Sequence, residues 1–479
     1  MNNQIPFLSP FRSAWSRLIS VARAFALSLA VVIPTSPGSA EAGQVFLVDF
    51  DTFSGATTND HNYTPGERAQ IVGEMDALFA PLGMSVTDIP PIAEPFSTVF
   101  FNAPAASTSD GVDLGNLKKS DNAQVNAKKM LEVVGVAEVD MTSEKIVRAS
   151  INVGMHEALH LVGARHQDAF TAVGTGLPTS GLATQYDPDY PGPVMATLTD
   201  RTFMSLTTLL GVTEEKLVAN DLFISPRSAM KAILGDHATP TQRVPGNNHP
   251  DDAQPVIVHL FDVPNTVPPG VVFPYLPDED ASELELSASV AWIAGSLLLS
   301  EAAHPTHYFL LPAVAGQRYT IEAYSDVLDH RESFSPVDVF VAALNPVVGG
   351  YPTLPYYGTG GFNYDGYEST DAAIIDIIVP PPLEAMIADI GPQGGGGAGD
   401  YELIVYSIKA TPPVEPPVLS IEPMNDDVII SWTPPSTNWV LQENLDLAST
   451  NWVNSPSGST NPIVVPATLP TKFYRLFKP

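Results

Sequence analysis

Three histidines and a glutamate stand close together in one short stretch of the sequence, MHEALHLVGARH at 155–166. His156 and His160 are four positions apart, so both imidazoles lie on the same face if the segment is helical. Two imidazoles in this arrangement can chelate a cation. Glu157 lies about 100° further around the helix axis, where its carboxylate can take a proton from metal-bound water without being a ligand.

A third ligand is expected just after this helix ends. Gly163 can adopt a positive φ and stop the helix sharply, and His166 then follows three residues later. Three protein ligands leave the fourth position of a tetrahedral zinc ion for water, as in catalytic zinc sites, and zinc lowers the pKa of that water toward about 7. The chain has no cysteine, which excludes thiolate ligands. The alternative interpretation is a buried helix whose histidines are ordinary hydrogen-bonded core residues.

The stretch HEALHLVGARH resembles HExxHxxGxxH, the zinc signature of the metzincin metallopeptidases. The resemblance covers about residues 43–235, less than half of the chain. It implies zinc binding by His156, His160 and His166, and general-base catalysis by Glu157. The resemblance therefore predicts a metzincin-like zincin domain that hydrolyses peptide bonds.

Metzincins also have a methionine-containing turn beneath the zinc ion. We predict Met195 for this role, because the preceding PGP at 191–193 favours a turn. Met204 is the alternative, although its surroundings look more like the start of a helix. Either residue could instead be a core methionine. No tyrosine closely follows Met195, so no oxyanion-stabilising residue is predicted.

Strands and helices around the motif predict a mixed α/β layer domain over residues 43–245. A buried strand is expected at Gln44–Asp51, and a helix begins at Thr64, where a capping box precedes apolar residues at helical spacing. The motif lies on a second strong helix that begins at about Thr142. STVFFNA at 97–103 is a predicted strand, either interior or at a sheet edge to which an extended substrate could add.

Residues 105–125 are polar and rich in glycine, aspartate and serine, so we predict a loop there. Its acidic part, 107–116, could bind a structural Ca²⁺ ion. It lacks the spacing of any defined calcium loop, however, and a solvated loop is the preferred interpretation.

Beyond residue 246 the sequence predicts short strands separated by turns. The segment 254–410 resembles bacterial pre-peptidase C-terminal domains, which are β-sandwiches, in HPTHYFLLPAVAGQRYTIEAYS and GAGDYELIVYS. A Pro-rich linker at 411–417 precedes a small all-β module at 418–479 that resembles fibronectin III or immunoglobulin-like modules. The predicted fold class is therefore multidomain, with an α/β zincin domain followed by all-β sandwich domains.

The first 42 residues have the features of a secretory signal peptide. Three arginines precede the apolar run AFALSLAVVI at 24–33, and AEA at 40–42 offers a cleavage site. The alternative is a membrane anchor, but a ten-residue helix is only about 15 Å long, half of a bilayer core. We expect bacterial-type export without membrane insertion after cleavage.

The formal net charge of −31 excludes binding to nucleic acid, because a phosphate backbone would be repelled. The sequence predicts a secreted, monomeric, zinc-dependent endopeptidase whose partner is a protein or peptide substrate. Two alternatives remain. One is an inactive adhesin at the cell surface, and the other is a zinc hydrolase that acts on a non-peptide substrate.

Overall fold

The computed structural model describes residues 33–34, 43–53, 60–92, 95–169, 201–207, 211–273, 279–298, 306–356, 359–360, 362–363, 371–393, 397–411, 417–433, 439–447, 451–468 and 471–477. Contacts between Cα atoms divide the chain into two compact units, 1–412 and 413–479. None of the helices in the described part of the chain combines the length and apolar character needed to cross a bilayer.

A five-stranded sheet forms one layer of the first unit. It follows a short strand, β1 (Ile33–Pro34), which pairs in parallel with residues 259–260. The strands of the sheet are β2 (Val45–Asp49), β3 (Ser85–Thr87), β4 (Ser97–Phe101), β5 (Ser107–Ser109) and β6 (Asn122–Val125). Their spatial order is β3-β2-β4-β6-β5, and β5 is antiparallel to β6 whereas the other pairs are parallel.

Six α-helices accompany this sheet in the described residues. They are α1 (Pro65–Phe79), α2 (Ala127–Val133), α3 (Ser143–His160), α4 (Glu214–Leu217), α5 (Pro226–Ala232) and α6 (Leu234–His237). The capping box predicted for α1 is confirmed: the Thr64 hydroxyl accepts from the Glu67 amide, and the Glu67 carboxylate accepts from the Thr64 amide. The predicted helix over the histidine motif is confirmed as α3, whose N-cap is Thr142.

The sheet decides two predictions: the position of the strand within STVFFNA and the loop at 105–125. The strand within STVFFNA is β4, which pairs with β2 on one side and β6 on the other, so it is interior. The loop predicted at 105–125 was wrong for residues 107–109 and 122–125, which form β5 and β6. Both strands are short and β5 is entirely polar, so pairing with neighbouring strands, not composition, makes them strands.

Residues 241–411 form two further sheets, which we call the two-sheet segment. Its strands are β7 (Thr241–Gln242), β8 (Gln254–Pro255), β9 (His259–Val263), β10 (Glu285–Leu297), β11 (His307–Pro312), β12 (Arg318–Tyr324), β13 (Val339–Leu344), β14 (Pro355–Tyr356), β15 (Thr359–Gly360), β16 (Phe362–Asn363), β17 (Ala373–Ile378), β18 (Ala385–Pro392) and β19 (Gly399–Thr411). The seven-stranded sheet has the order β1-β9-β10-β19-β12-β17 with β7 beside β10, and the five-stranded sheet has the order β16-β13-β18-β11-β8. A separate pair joins β14 and β15.

Buried side chains from the seven-stranded and five-stranded sheets form one apolar cluster, as expected for two sheets packed face to face. A second, larger cluster joins the seven-stranded sheet to the helices of the α/β part. Its members include Leu159, Met230, Val290 and Ile404. The segments predicted as separate domains, 43–245 and 254–410, thus lie in the same compact unit, and their division into domains stays a prediction.

The second unit consists of two three-stranded sheets, in the orders β20-β21-β24 and β23-β22-β25. The strands are β20 (Val418–Met424), β21 (Asp427–Thr433), β22 (Val440–Asn444), β23 (Val453–Asn454), β24 (Ile463–Pro466) and β25 (Phe473–Phe477). Its small core is built on Ile430, Trp432 and Leu441. At this coarse level the predicted order, a mixed α/β part followed by antiparallel β-sheets, is confirmed.

Candidate metal centre

Helix α3 presents two of the three motif histidines in the interior of the first unit. All of its residues from Ala149 to His160 are buried, including the apolar positions expected to face a core. His156 and His160 are 4% and 7% exposed. A histidine pair at helical spacing is therefore held on a helix that is shielded from solvent.

The turn that follows α3 depends on a glycine, as the sequence predicted. Gly163 has φ = 96°, and its amide donates to the carbonyl of His160 at 3.0 Å. A Cβ at this position would lie 3.0 Å from Cα of Leu114, so the close approach of a neighbouring chain segment also requires glycine. The chain then reverses into a 3-10 helix, His166–Ala169, which brings the third histidine back to the end of α3.

The three imidazoles converge through their Nε2 atoms. Nε2 of His156 lies 3.3 Å from Nε2 of His160 and 3.1 Å from Nε2 of His166. The ligand atoms of all three residues lie within 4.8 Å of one another. Among the described residues, no other group of three or more histidine, aspartate or glutamate side chains has its ligand atoms this close together. The structure thus brings together all three histidines that the sequence predicted as metal ligands.

Backbone carbonyls determine the tautomer of two of these rings. Nδ1 of His156 lies 2.8 Å from the carbonyl oxygen of Phe203, and Nδ1 of His160 lies 2.8 Å from that of Ala164. A carbonyl can only accept, so Nδ1 carries the hydrogen and Nε2 of each neutral ring is left with a lone pair. Two lone pairs that face each other at 3.3 Å repel, and a cation between them removes the repulsion. The residues present therefore fit a divalent metal that takes nitrogen ligands, and zinc is one such metal.

Glu157 is buried next to the histidines, with 4% of its surface exposed. Burial raises the pKa of its carboxyl group to about 7, while a hydrogen bond from the Ser107 hydroxyl and the charge of His166 act to lower it. A cation held by the imidazoles would favour the carboxylate form. Ser107 belongs to the edge strand β5, and the polar segment around it offered no signal from which this contact could be predicted.

The two candidate Met-turn residues have different positions in the structure. Met195 lies outside the described residues. Met204 is 1% exposed and sits in a 3-10 helix, Phe203–Ser205, whose first residue accepts the hydrogen bond from His156. Cα atoms of this short helix lie within 8 Å of α3 and of the 3-10 helix that carries His166. Sequence reasoning missed Phe203, because a main-chain carbonyl leaves no trace in residue types.

The acidic residues considered for calcium have protein partners. Asp113 accepts from the Arg331 guanidinium at 2.8 Å and from the Lys118 amide at 2.7 Å. Asp110 accepts from the backbone amide of Asn122 at 2.8 Å. Among the described residues, the carboxylates of 107–116 do not converge as a group of metal ligands. Calcium binding at 107–116 therefore stays a prediction.

No family model matches this sequence, and no curated protein matches it. One solved structure with partial similarity is a β-1,2-glucanase from Parabacteroides distasonis, with 12% sequence identity and a TM-score of 0.13. The match covers 46% of this chain, and this chain spans 32% of the glucanase chain. A likeness this weak supports no conclusion about fold or activity.

Proposed function

We propose that this protein is a zinc-dependent hydrolase of peptide bonds, as the resemblance to metzincins implies. The observation that carries the proposal is the convergence of three imidazole Nε2 atoms, with the Nδ1 atoms of His156 and His160 occupied by backbone carbonyls. His156, His160 and His166 would hold the metal, and they leave a further coordination position open. When bound, zinc supplies Lewis acidity toward a water molecule and the scissile carbonyl.

Within this proposal, Glu157 is the proton carrier. Its carboxylate takes a proton from the attacking water and delivers it to the leaving amine. A hydrogen bond from Ser107 acts to lower the pKa of this carboxyl group, against the effect of burial. Because Ser107 belongs to the last strand in the described order of the sheet, an extended peptide that paired with β5 would pass beside Glu157.

Three further features belong to the same proposal. The position of Phe203 beside His156 supports Met204 as the Met-turn residue, while Met195 lies outside the described residues. The signal-like segment 1–42 supports export to the extracellular space or cell surface. The substrate is a protein or peptide, and we propose that the enzyme acts as a monomer.

Cleavage of casein by the full-length protein tests this function. Activity should disappear with a chelator and return with Zn²⁺, and Glu157→Gln should lower kcat by about 10²–10⁴-fold, the usual contribution of a positioned acid–base group. Glu144→Gln is a matched control, because Glu144 is an exposed glutamate in the first turn of the same helix. It should leave kcat within about twofold, since an exposed helix-end charge contributes under about 1 kcal/mol to stability.

The outcomes separate the candidate functions. Full activity of Glu157→Gln would contradict the mechanism. Zinc binding without cleavage of casein or of short peptides would favour the non-peptide hydrolase. A protein that neither binds zinc nor cleaves would leave the adhesin hypothesis.

A further inference from the structure

The residues on either side of His166 are buried and bond to the two-sheet segment. Arg165 is 0% exposed, and its Nη1 donates to the carbonyl of Ala323 at 2.8 Å. Gln167 is 1% exposed, and its Nε2 donates to Oε2 of Glu322 at 3.1 Å. Both partners belong to strand β12. The backbone before and after the third histidine is therefore attached to the seven-stranded sheet.

Asp168 is attached to the same strand through a buried lysine. Its Oδ1 accepts from Nζ of Lys231 at 2.6 Å, and the same Nζ donates to Oε2 of Glu322 at 2.7 Å, with all three side chains fully buried. Oδ2 of Asp168 accepts the backbone amide of Arg165 at 2.8 Å, which closes the turn around His166. From strand β19, the Tyr406 hydroxyl donates to Oε1 of Glu322 at 2.6 Å. Glu322 is thus the point where the ligand-bearing turn, helix α5 and two strands meet.

A second connection from the two-sheet segment reaches His160. Nη2 of Arg331 donates to Oδ1 of Asp113 at 2.8 Å and to the carbonyl of Leu114 at 2.6 Å. The backbone amide of Asp113 in turn donates to the carbonyl of His160 at 3.1 Å. The same main-chain segment is the one that approaches Gly163. The last turn of α3 is therefore held by a chain segment that Arg331 anchors.

The chemistry of these contacts indicates that they restrict the positions of the groups they join, besides stabilising the fold. Desolvation offsets most of the attraction within a buried ion pair, so apolar side chains of similar volume would stabilise the contact about as well. Charged and hydrogen-bonded groups differ in that their bonds are directional and resist small displacements. Both connections end at main chain next to a histidine, where displacements of a few tenths of an ångström change ligand geometry.

We infer that the two-sheet segment is a working part of the metal centre, in which Glu322 positions His166 and Arg331 positions His160. Neither residue touches the metal or the substrate. They act as positioning residues: Glu322 acts through Gln167 and through the Lys231–Asp168 pair, and Arg331 acts through 113–114. The inference deepens the proposed zinc site and rests on it.

Zinc affinity of the full-length protein tests the inference without reference to activity. We would measure the dissociation constant by competition with a chromophoric chelator, and record the visible absorption of the Co²⁺-loaded protein as a report on ligand geometry. Glu322→Gln keeps the shape of the side chain but removes the charge that faces Lys231. Loss of a group bonded directly to a metal ligand weakens metal binding by about 10–100-fold; because Glu322 acts through intervening residues, we expect a loss at the lower end of that range, about tenfold, together with an altered Co²⁺ spectrum.

Arg331→Lys provides a second variant that retains the positive charge but cannot make the forked contacts of a guanidinium. If Glu322→Gln fails to fold, Arg331→Lys alone tests the inference. Ser407→Ala is the matched control: Ser407 is 1% exposed on β19, next to Tyr406, and accepts a hydrogen bond from Gln317 at 2.7 Å. The control should lower the melting temperature and leave zinc affinity within about twofold, since it loses an ordinary hydrogen bond away from the ligands.

The possible results are distinguishable. Weaker zinc binding and a changed spectrum in Glu322→Gln or Arg331→Lys, but not in Ser407→Ala, support the inference. If the folded variants melt earlier, as the control does, yet keep the wild-type affinity and spectrum, the contacts are merely structural and the inference is overturned. If the wild-type protein itself does not bind zinc, the proposed function fails, and this inference fails with it.

Discussion

Glu157 is the residue whose surroundings bear most directly on the proposed hydrolysis. Its neighbours on α3 are ligand candidates, its carboxyl group is buried, and Ser107 donates a hydrogen bond to it from another element. A carboxylate that accepts a proton from water must be held in one orientation, because proton transfer requires a donor–acceptor distance of about 3 Å. We expect the hydrogen bond from Ser107 to favour one such orientation.

Replacement of Ser107 by alanine should therefore lower kcat more than it changes KM. A hydrogen bond to a charged group is worth about 1.5–3 kcal/mol, so a loss of roughly tenfold or more in kcat is expected. Thr108→Ala is the control, because Thr108 neighbours Ser107 on β5 and is exposed. Steady-state kinetics with a fluorogenic peptide would measure both parameters. Equal kcat values for the two variants would contradict the role assigned to Ser107.

At the scale of elements, the decisive feature is how α3 ends. The helix stops at His160, Gly163 reverses the chain, and the 3-10 helix that begins at His166 returns to the same place. Strand β5 and the 3-10 helix Phe203–Ser205 both have Cα atoms within 8 Å of α3. Four separate elements thus come together here, and two of them carry the histidines.

Gly163→Ala should destabilise the first unit, because an alanine would have to adopt φ = 96° and its Cβ would lie 3.0 Å from Cα of Leu114. Backbone strain of this kind costs about 1–3 kcal/mol, before the clash is counted. Gly73→Ala is the matched control: Gly73 is an exposed position inside α1 with no atom within 4 Å of the added Cβ. It should stabilise the protein by about 0.5–1 kcal/mol.

Urea unfolding of the two glycine variants measures both effects. The expected result is opposite signs for Gly163→Ala and Gly73→Ala relative to the wild-type protein. A Gly163→Ala protein as stable as the wild type would show that the turn after α3 can relax, and the positions of His160 and His166 would then be less constrained than the structure indicates.

At the scale of the whole molecule, the α/β part and the two-sheet segment share a continuous core, and buried charges such as Lys231 and Glu322 lie where they meet. One buried carboxyl group lies elsewhere, on strand β18. Asp389 is 7% exposed and stands opposite Tyr308 of β11 and Ala342 of β13. Burial raises the pKa of Asp389 to about 8. Its protonation therefore links the stability of the first unit to pH.

The sign of this linkage follows from the two pKa values. The unfolded chain has an aspartate pKa of about 3.9, so the folded state binds the proton more tightly. The contribution of Asp389 to stability is fully present below about pH 4 and is lost as the pH rises through about 8. Asp389→Asn, which is neutral at all pH values, should remove this loss, which is on the order of a few kcal/mol.

Melting temperatures at saturating zinc between pH 5 and pH 8 test this prediction. The advantage of Asp389→Asn over the wild-type protein should grow with pH. Asp252→Asn serves as the control, since Asp252 is exposed, and it should follow the wild-type curve. A constant difference between Asp389→Asn and wild type across this range would show that Asp389 does not change its charge within it.

The parts of the site that could be predicted are those within one short segment. Residues 155–166 contain the pair at helical spacing, the glycine and the third histidine, and their spacing was enough to predict that the three imidazoles come together. The capping box of α1 was predictable for the same reason. Strand β5 was not, because three polar residues become a strand only when a partner strand is present. Because β5 was not predicted, the contact of its Ser107 with Glu157 could not be predicted either.

By itself, the sequence determined the histidine-bearing helix, its end at a glycine, the acidic character of the chain, and the order of an α/β part before β-sheets. Each of these depends on interactions between residues close in the chain or on composition. The tertiary structure alone decided the tautomer of His156, which needs the carbonyl of Phe203, and the attachment of the His166 turn to Glu322. These partners are 47 and 155 positions away in the chain from the residues they contact. Periodicity and spacing do not encode such pairs, because chain folding sets which distant carbonyl or carboxylate meets a given side chain.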